Sequence, residues 1–301
     1  MNHKRVITYS LVSLSFIAAM ICAGVCRVVH AEEPITVQVL ASRGEYYPAL
    51  LTYEKLPKRK ITTESKIAAA RAAWALNLHG RAAELFDQAL ETPELSPVDR
   101  GRVYLSRGII ELQQEHYQMA TLLAKKALEQ VSEQGPLRAK MLLLVGQAQY
   151  QLKNYGEVYS VLTDAVQHSD GDDEGEVQFL LGQASQALNR IDEAIQHFKA
   201  VPYGHERTAA TFRKLAEISL QLHQPTQVRF WIEKAQKDFP DQFIDSWTQY
   251  ALLQASIELN DVETMRAIHL QANQKYGGSD FWLGLMNAAK EHKEWMLRRV
   301  V

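Results

Sequence analysis

Leu142-Leu143-Leu144-Val145-Gly146 and Gln178-Phe179-Leu180-Leu181-Gly182 are the two stretches on which the fold turns. Set in register, their glycines stand 36 residues apart, and each stretch reaches a polar turn about seven residues on, Lys153-Asn154 in one copy and Asn189 in the other. Beyond each turn lies a second apolar pattern: Val158, Leu162 and Ala165 in the first copy, Ala194, Phe198 and Val201 in the second. Apolar residues three and four apart share one face of a helix, so each copy reads as two helices joined by a short turn. Gly146 and Gly182 mark places where two helices approach so closely that a side chain would push them apart. Ala82, Ala120 and Ala194 are small for the same reason on the facing helix, while Phe86, Leu162 and Phe198 fill the space between one pair and the next. A lone pair of about 34 residues buries too little surface to be stable, so stacking must supply the missing partner.

Working outward, the pattern continues in both directions. Gly108 stands 38 residues before Gly146, with Tyr117, Ala120, Ala124, Ala127 and Leu128 behind it; a further 38 back is Ala70, followed by Ala82, Phe86, Ala89 and Leu90. On the other side, Leu215-Ala216 leads into Val228, Ile232, Ala235 and Pro240. The first copy is partial, Gly44-Glu45-Tyr46 with Ala49 and Tyr53, and the last is loose, Leu252-Leu253, Asn260, Met265, His269 and Ala272. Residues 67–78, 81–90, 103–112 and 212–222 have helical periodicity without an internal proline, and no stretch alternates long enough to argue for a sheet. Pro93 with Pro97, Gly135-Pro136 and the acidic run 170–175 read as connections.

This pattern resembles the tetratricopeptide repeat family, whose unit of about 34 residues is a pair of antiparallel helices. It departs from that family in lacking a tryptophan at the fourth position of a unit and in having one clear unit-end proline, Pro240. The resemblance implies an all-α protein: a right-handed α-solenoid of about six helix-pair repeats over residues 32–278, closed by a C-terminal capping helix over residues 279–301. It also implies that the first helix of each unit lines a concave face. Carried over unit by unit, the groove residues are Arg71 and Trp74, then Arg102, then Gln147 and Tyr150, then Gln183, then Arg213, and last Tyr250. Neighbouring inward positions fall on Leu105, Leu143, Glu176, Phe179 and Gln254. Aromatic anchors, amides and arginines together suit an extended or helical peptide segment. The family's Lys and Asn carboxylate clamp is not matched.

The amino terminus reads as a targeting segment. Lys4 and Arg5 precede residues 6–25, which carry no charge, and Val29-His30-Ala31 offers small or branched residues for a cut after Ala31. The expectation is a signal peptide over residues 1–31, with an uncleaved signal anchor as the alternative, because about 20 apolar residues also span a bilayer. Both cysteines, Cys22 and Cys26, lie in this segment, so a chain cut after Ala31 contains none and relies on packing alone in an oxidising compartment. Location is therefore expected to be the periplasm or otherwise exported, or the inner membrane if residues 6–25 are retained as an anchor.

Composition and motifs then restrict the chemistry. Of 301 residues, 47% are hydrophobic and 23% charged, which excludes a disordered chain, and a net charge of −2 argues against a nucleic-acid partner. The sequence has no zinc-protease, nucleophile-elbow or phosphate-loop motif. The acidic run fails as a calcium loop, because the twelfth position from Asp170 is Leu181 where a bidentate carboxylate is needed. The expectation is a chain that is not an enzyme and holds no cofactor and no metal. It is expected to act as a protein–protein interaction scaffold that binds a protein or peptide partner. The alternative is a self-associating or spacer subunit of a secretion, pilus or polysaccharide-export assembly.

Overall fold

Residues 36–279 are described by a computed structural model of the chain. They form α-helices and two short 3-10 turns, without a strand among the described residues. The predicted signal or anchor segment and the predicted capping helix, Ser279 apart, lie outside the described residues. The chain divides into two compact units, the first ending at Asn77 and the second beginning at Leu78.

The first unit contains α1 (Val37–Ser42), α2 (Tyr46–Glu54) and α3 (Thr63–Ala75), which pack on one another. Thr62 starts α3 with a reciprocal cap, its hydroxyl accepting from the Ser65 N–H while the Ser65 hydroxyl accepts from the Thr62 N–H. Val37, Ala49, Ala69 and Ala73 are buried here.

The second unit begins with α4 (His79–Leu90) and continues as five helix pairs: α5 (Pro97–Gln113) with α6 (Tyr117–Gln130), α7 (Pro136–Gln151) with α8 (Tyr155–Ala165), α9 (Gly171–Ala187) with α10 (Ile191–Ala200), α11 (Thr208–Gln221) with α12 (Pro225–Asp238), and α13 (Ser246–Glu258) with α14 (Val262–Tyr276). The copy built on Ala70 and Ala82 is thus divided, since the boundary between the units falls in the turn between α3 and α4. The acidic run is not a connection: α9 starts at Gly171, and Asp172, Asp173 and Glu174 occupy its first turn, where the helix dipole favours negative charge.

The core clusters between the middle pairs each draw on one pair and the first helix of the next. Leu105, Ala124 and Ala127 meet Met141, Leu144 and Val145; Val158, Leu162 and Ala165 meet Val177, Leu180 and Leu181; Ala194 and Phe198 meet Leu215 and Ile218. This is nearest-neighbour packing, in which each of these pairs shares its core with the next, while Leu253, Met265 and Ala272 form a cluster within the pair α13–α14. Within a pair, the glycine positions set the separation. A Cβ on Gly146 would come within 2.6 Å of the Leu162 side chain, and one on Gly182 within 2.7 Å of the Phe198 ring. Leu162 and Phe198 are wholly buried, so neither can swing away into solvent.

The turn inside each pair is also the same each time. Asn77, Glu115, Lys153, Asn189, His223 and Asn260 all adopt a left-handed backbone, with φ between 53° and 63°. In the second unit the residue after each returns its N–H to the carbonyl five positions back: His116 to Glu111, Asn154 to Gln149, Arg190 to Ser185, Gln224 to Ser219 and Asp261 to Ser256, all at 2.8–2.9 Å. This bond defines the Schellman ending, which favours glycine at the left-handed residue. Between pairs a second device recurs. Arg100 on α5 donates to the Leu90 and Thr92 carbonyls at 2.6 and 2.9 Å, and Arg138 on α7 donates to the Val131 carbonyl at 2.8 Å. Each arginine closes the exposed carbonyls at the end of the preceding helix.

Gly182→Ala is expected to cost about 1–3 kcal/mol through the clash with Phe198. Lys153→Gly is expected to add about 0.5–1 kcal/mol by relieving a left-handed non-glycine residue. Thermal unfolding followed by circular dichroism checks both, with midpoints moving in opposite directions.

Candidate functional site

On the first-helix face of the second unit, a pocket of about 480 Å³ opens between α5, α7 and α9. Residues at helical spacing build its walls: Gln147, Tyr150 and Gln151 on α7, and Glu176, Phe179, Leu180 and Gln183 on α9. Glu115 and Tyr117 close one end from the α5–α6 turn, and Arg207, at the start of α11, closes the other.

Arg207 meets the Glu176 carboxylate with both arms of its guanidinium, Nε to Oε2 at 2.6 Å and Nη2 to Oε1 at 3.0 Å, and lies 5.3 Å from the Phe179 ring. The hydrogen bonds to Glu176 raise the Arg207 pKa above its ordinary value despite partial burial. The two charges satisfy each other, and the Gln147, Gln151 and Gln183 amides and the Tyr150 phenol are among the other polar groups of the lining. Burial, reinforced by Tyr155 at a ring separation of 5.6 Å, pushes the Tyr150 phenol up, so its hydroxyl stays neutral and can donate.

The end wall is held by Glu111, buried on α5. Its carboxylate takes hydrogen bonds from Arg107 and from His116 Nδ1, the latter at 2.6 Å, and Arg107 also reaches Asp87 on α4 at 3.3 Å. Burial alone would raise the Glu111 carboxyl, but the Arg107 and His116 hydrogen bonds outweigh it and hold the pKa below the ordinary value. The ion pair therefore fixes the turn carrying Glu115 and Tyr117.

Three of the sequence-derived groove residues come together in this pocket, Gln147, Tyr150 and Gln183, together with the neighbouring inward positions Glu176 and Phe179. Arg71, exposed, and Trp74, half-buried, belong to α3 of the first unit. Arg102 stays at the surface, paired with Asp99 at 3.2 Å one turn before it. Arg213 is committed to packing between α11 and α13, bonded to Asp245 at 2.6 Å and lying 5.1 and 4.7 Å from the Phe243 and Trp247 rings. Tyr250 packs on the core cluster of Leu253, Met265 and Ala272. Leu105, Leu143 and Gln254, read as inward-facing, are buried in the contacts between helices instead, because the stripe facing the next pair overlaps the face assigned to the groove. Arg207 escaped the sequence reading, since it stands ahead of a helix, outside any helical stripe. Among the described residues no group of three His, Cys, Asp or Glu could hold a metal ion, and no helix is long and apolar enough to cross a membrane.

No protein-family model matches the sequence, and no curated protein is similar to it in sequence. Solved structures are similar in fold. PilF of Pseudomonas aeruginosa is 16% identical, with a TM-score of 0.58 covering 75% of this chain and 97% of that one. YrrB, described as a TPR protein with an unusual peptide-binding site, is 21% identical, with a TM-score of 0.49 over 65% of this chain and 93% of its own. MamA of AMB-1 is 20% identical, with a TM-score of 0.46 over 54% of this chain and 91% of that one. The stacked pairs and the likeness to PilF define the class of fold as an α-solenoid of helix-pair repeats.

A carboxyl whose pKa is depressed in the fold contributes stability above its unfolded pKa, about 4.3, and that contribution is lost as pH falls through the folded value. Glu111→Gln is therefore expected to destabilise the chain by about 1–3 kcal/mol at neutral pH. The difference from wild type should shrink as acid is added below pH ~4.3, which unfolding curves across pH measure.

Proposed function

We propose that this chain is a non-enzymatic interaction scaffold of the cell envelope or periplasm, and that it binds an extended segment of a partner protein across α5, α7 and α9. The observation carrying this reading is the pocket in which glutamine amides, a neutral phenol and an aromatic–arginine stack converge on one face. A glutamine side chain offers both a donor and an acceptor, which matches the exposed N–H and C=O of an extended backbone. Tyr150 and Phe179 supply rigid apolar area for a side chain of the guest. The Arg207–Glu176 pair adds orientation without net charge of its own. The N-terminal pattern of residues 1–31 supports export, and retention of residues 6–25 would instead anchor the scaffold at the inner membrane.

Exposed Met119 and Leu122 on α6 and Leu270 on α14 favour a second reading, self-association into a spacer of a larger assembly. Affinity capture with the exported chain decides between the two. Tyr150→Ala with Gln183→Ala is expected to weaken capture of the wild-type partner at least about tenfold, with the melting temperature kept. Undiminished capture overturns the groove reading, and concentration-dependent growth of the light-scattering mass supports the spacer. N-terminal sequencing of the exported product is expected to begin at Glu32.

A further inference from the structure

The opposite side of the array carries a second concavity that owes nothing to the groove. Second helices α10 and α12 of consecutive pairs stand as walls, and α11 runs between them as the floor, presenting Thr211, Leu215 and Ser219 at intervals of four residues. Two clefts of about 350 Å³ each lie along this floor, one on either side of Trp231, and share Lys199, Leu215 and Trp231 in their lining. The apolar part is aromatic: Phe212 stacks on Trp231 at 5.9 Å and 27°, and Tyr203, 69% exposed, stands at the rim.

Two features make this a site for an acidic guest. The first is charge. Lys199 on α10 and Lys234 on α12 line the same cleft, and among the described residues neither pairs with a carboxylate, whereas Arg107, Arg207 and Arg213 all do. The Lys234 ammonium rests 5.1 and 5.5 Å from the Phe212 and Tyr203 rings, and the neighbouring Asp238 is engaged by the Tyr203 hydroxyl. The second is an unmet hydrogen bond. Thr211 lines the cleft, 4% exposed, and among the described residues its buried hydroxyl has no partner. A buried hydroxyl left without a partner is costly, and a bound chain can recover that cost.

We propose that the cleft between α10 and α12 docks an acidic, apolar peptide segment of a partner protein. Its carboxylates sit between Lys199 and Lys234, a bulky apolar side chain lies against Trp231, and Thr211 bonds the guest backbone. Charge complementarity selects the segment, and the aromatic floor holds it. This surface is separate from the pocket on α7 and α9, so a chain bound to one leaves the other open.

A labelled, terminally blocked peptide alternating aspartate with leucine and phenylalanine, titrated by anisotropy into the full chain, tests the assignment. The chain is expected to bind it, to lose affinity as salt rises, and to bind the lysine-for-aspartate version at least about tenfold more weakly. Lys199→Glu with Lys234→Glu should abolish the preference, and Thr211→Val should weaken binding several-fold while leaving the melting temperature unchanged or higher. Tyr150→Ala with Gln183→Ala should leave this affinity intact. Absence of binding by the wild type overturns the proposal, as does equal binding of both peptides. Loss in the Tyr150 and Gln183 variant with retention in the lysine variant also overturns it. Should the charge reversals disturb the circular-dichroism spectrum, Thr211→Val and the salt dependence decide alone.

Discussion

Everything in the second unit depends on how closely two helices of a pair can approach. Where Gly182 faces Phe198 and Gly146 faces Leu162, the absence of one methyl group lets a large side chain lie flat on the opposing backbone. The buried ring or branched chain then has its other side free to meet the next pair, as Phe198 does with Leu215 and Ile218. Intra-pair contact and inter-pair stacking are thus made by the same atoms. Core packing at organic-crystal density leaves little room for adjustment, so the spacing of the glycines passes directly into the spacing of the pairs.

That spacing places the functional surfaces. First helices α5, α7 and α9 present successive polar stripes on one side, and second helices α10 and α12 stand apart on the other. The charges are handled differently on the two sides. In the α7–α9 pocket the arginine and carboxylate are bound to each other, and amides and rings make up much of the remaining wall. Between α10 and α12 Lys234 is held over aromatic faces, which orients a cation without neutralising it. A single repeat grammar therefore yields two surfaces of different chemistry.

Much of this was legible in the residues. The recurring small residue, the polar turn and the apolar stripe behind it locate nearly every helix, because period and close approach are both local signals. The groove was legible only in part. Gln147, Tyr150 and Gln183 converge, but Arg213 turns into the packing of α11 on α13 with Asp245, Phe243 and Trp247. Nothing at Arg213 itself distinguishes it from a solvent-facing arginine, since its partners lie about thirty residues away in sequence. The acidic run misled for another reason. Its glycines and aspartates carry turn chemistry, yet a helix start favours the same residues, and Gly175 is needed under the His205 ring. The arginine closures by Arg100 and Arg138, 38 residues apart, repeat with the period of the glycines and could have been read from it.

The left-handed corners have an implication for how this array has been shaped. Glutamate, lysine, asparagine and histidine all occupy a position whose backbone suits glycine best, and they do so in turn after turn. Side chains this different share only tolerance of the geometry, so the corner constrains conformation while leaving chemistry open. Because the corners are distant from one another, their small penalties are independent and add up. The array thus holds a distributed reserve, an increment per repeat, that could be drawn on to offset a costly change at either binding face without disturbing the face itself.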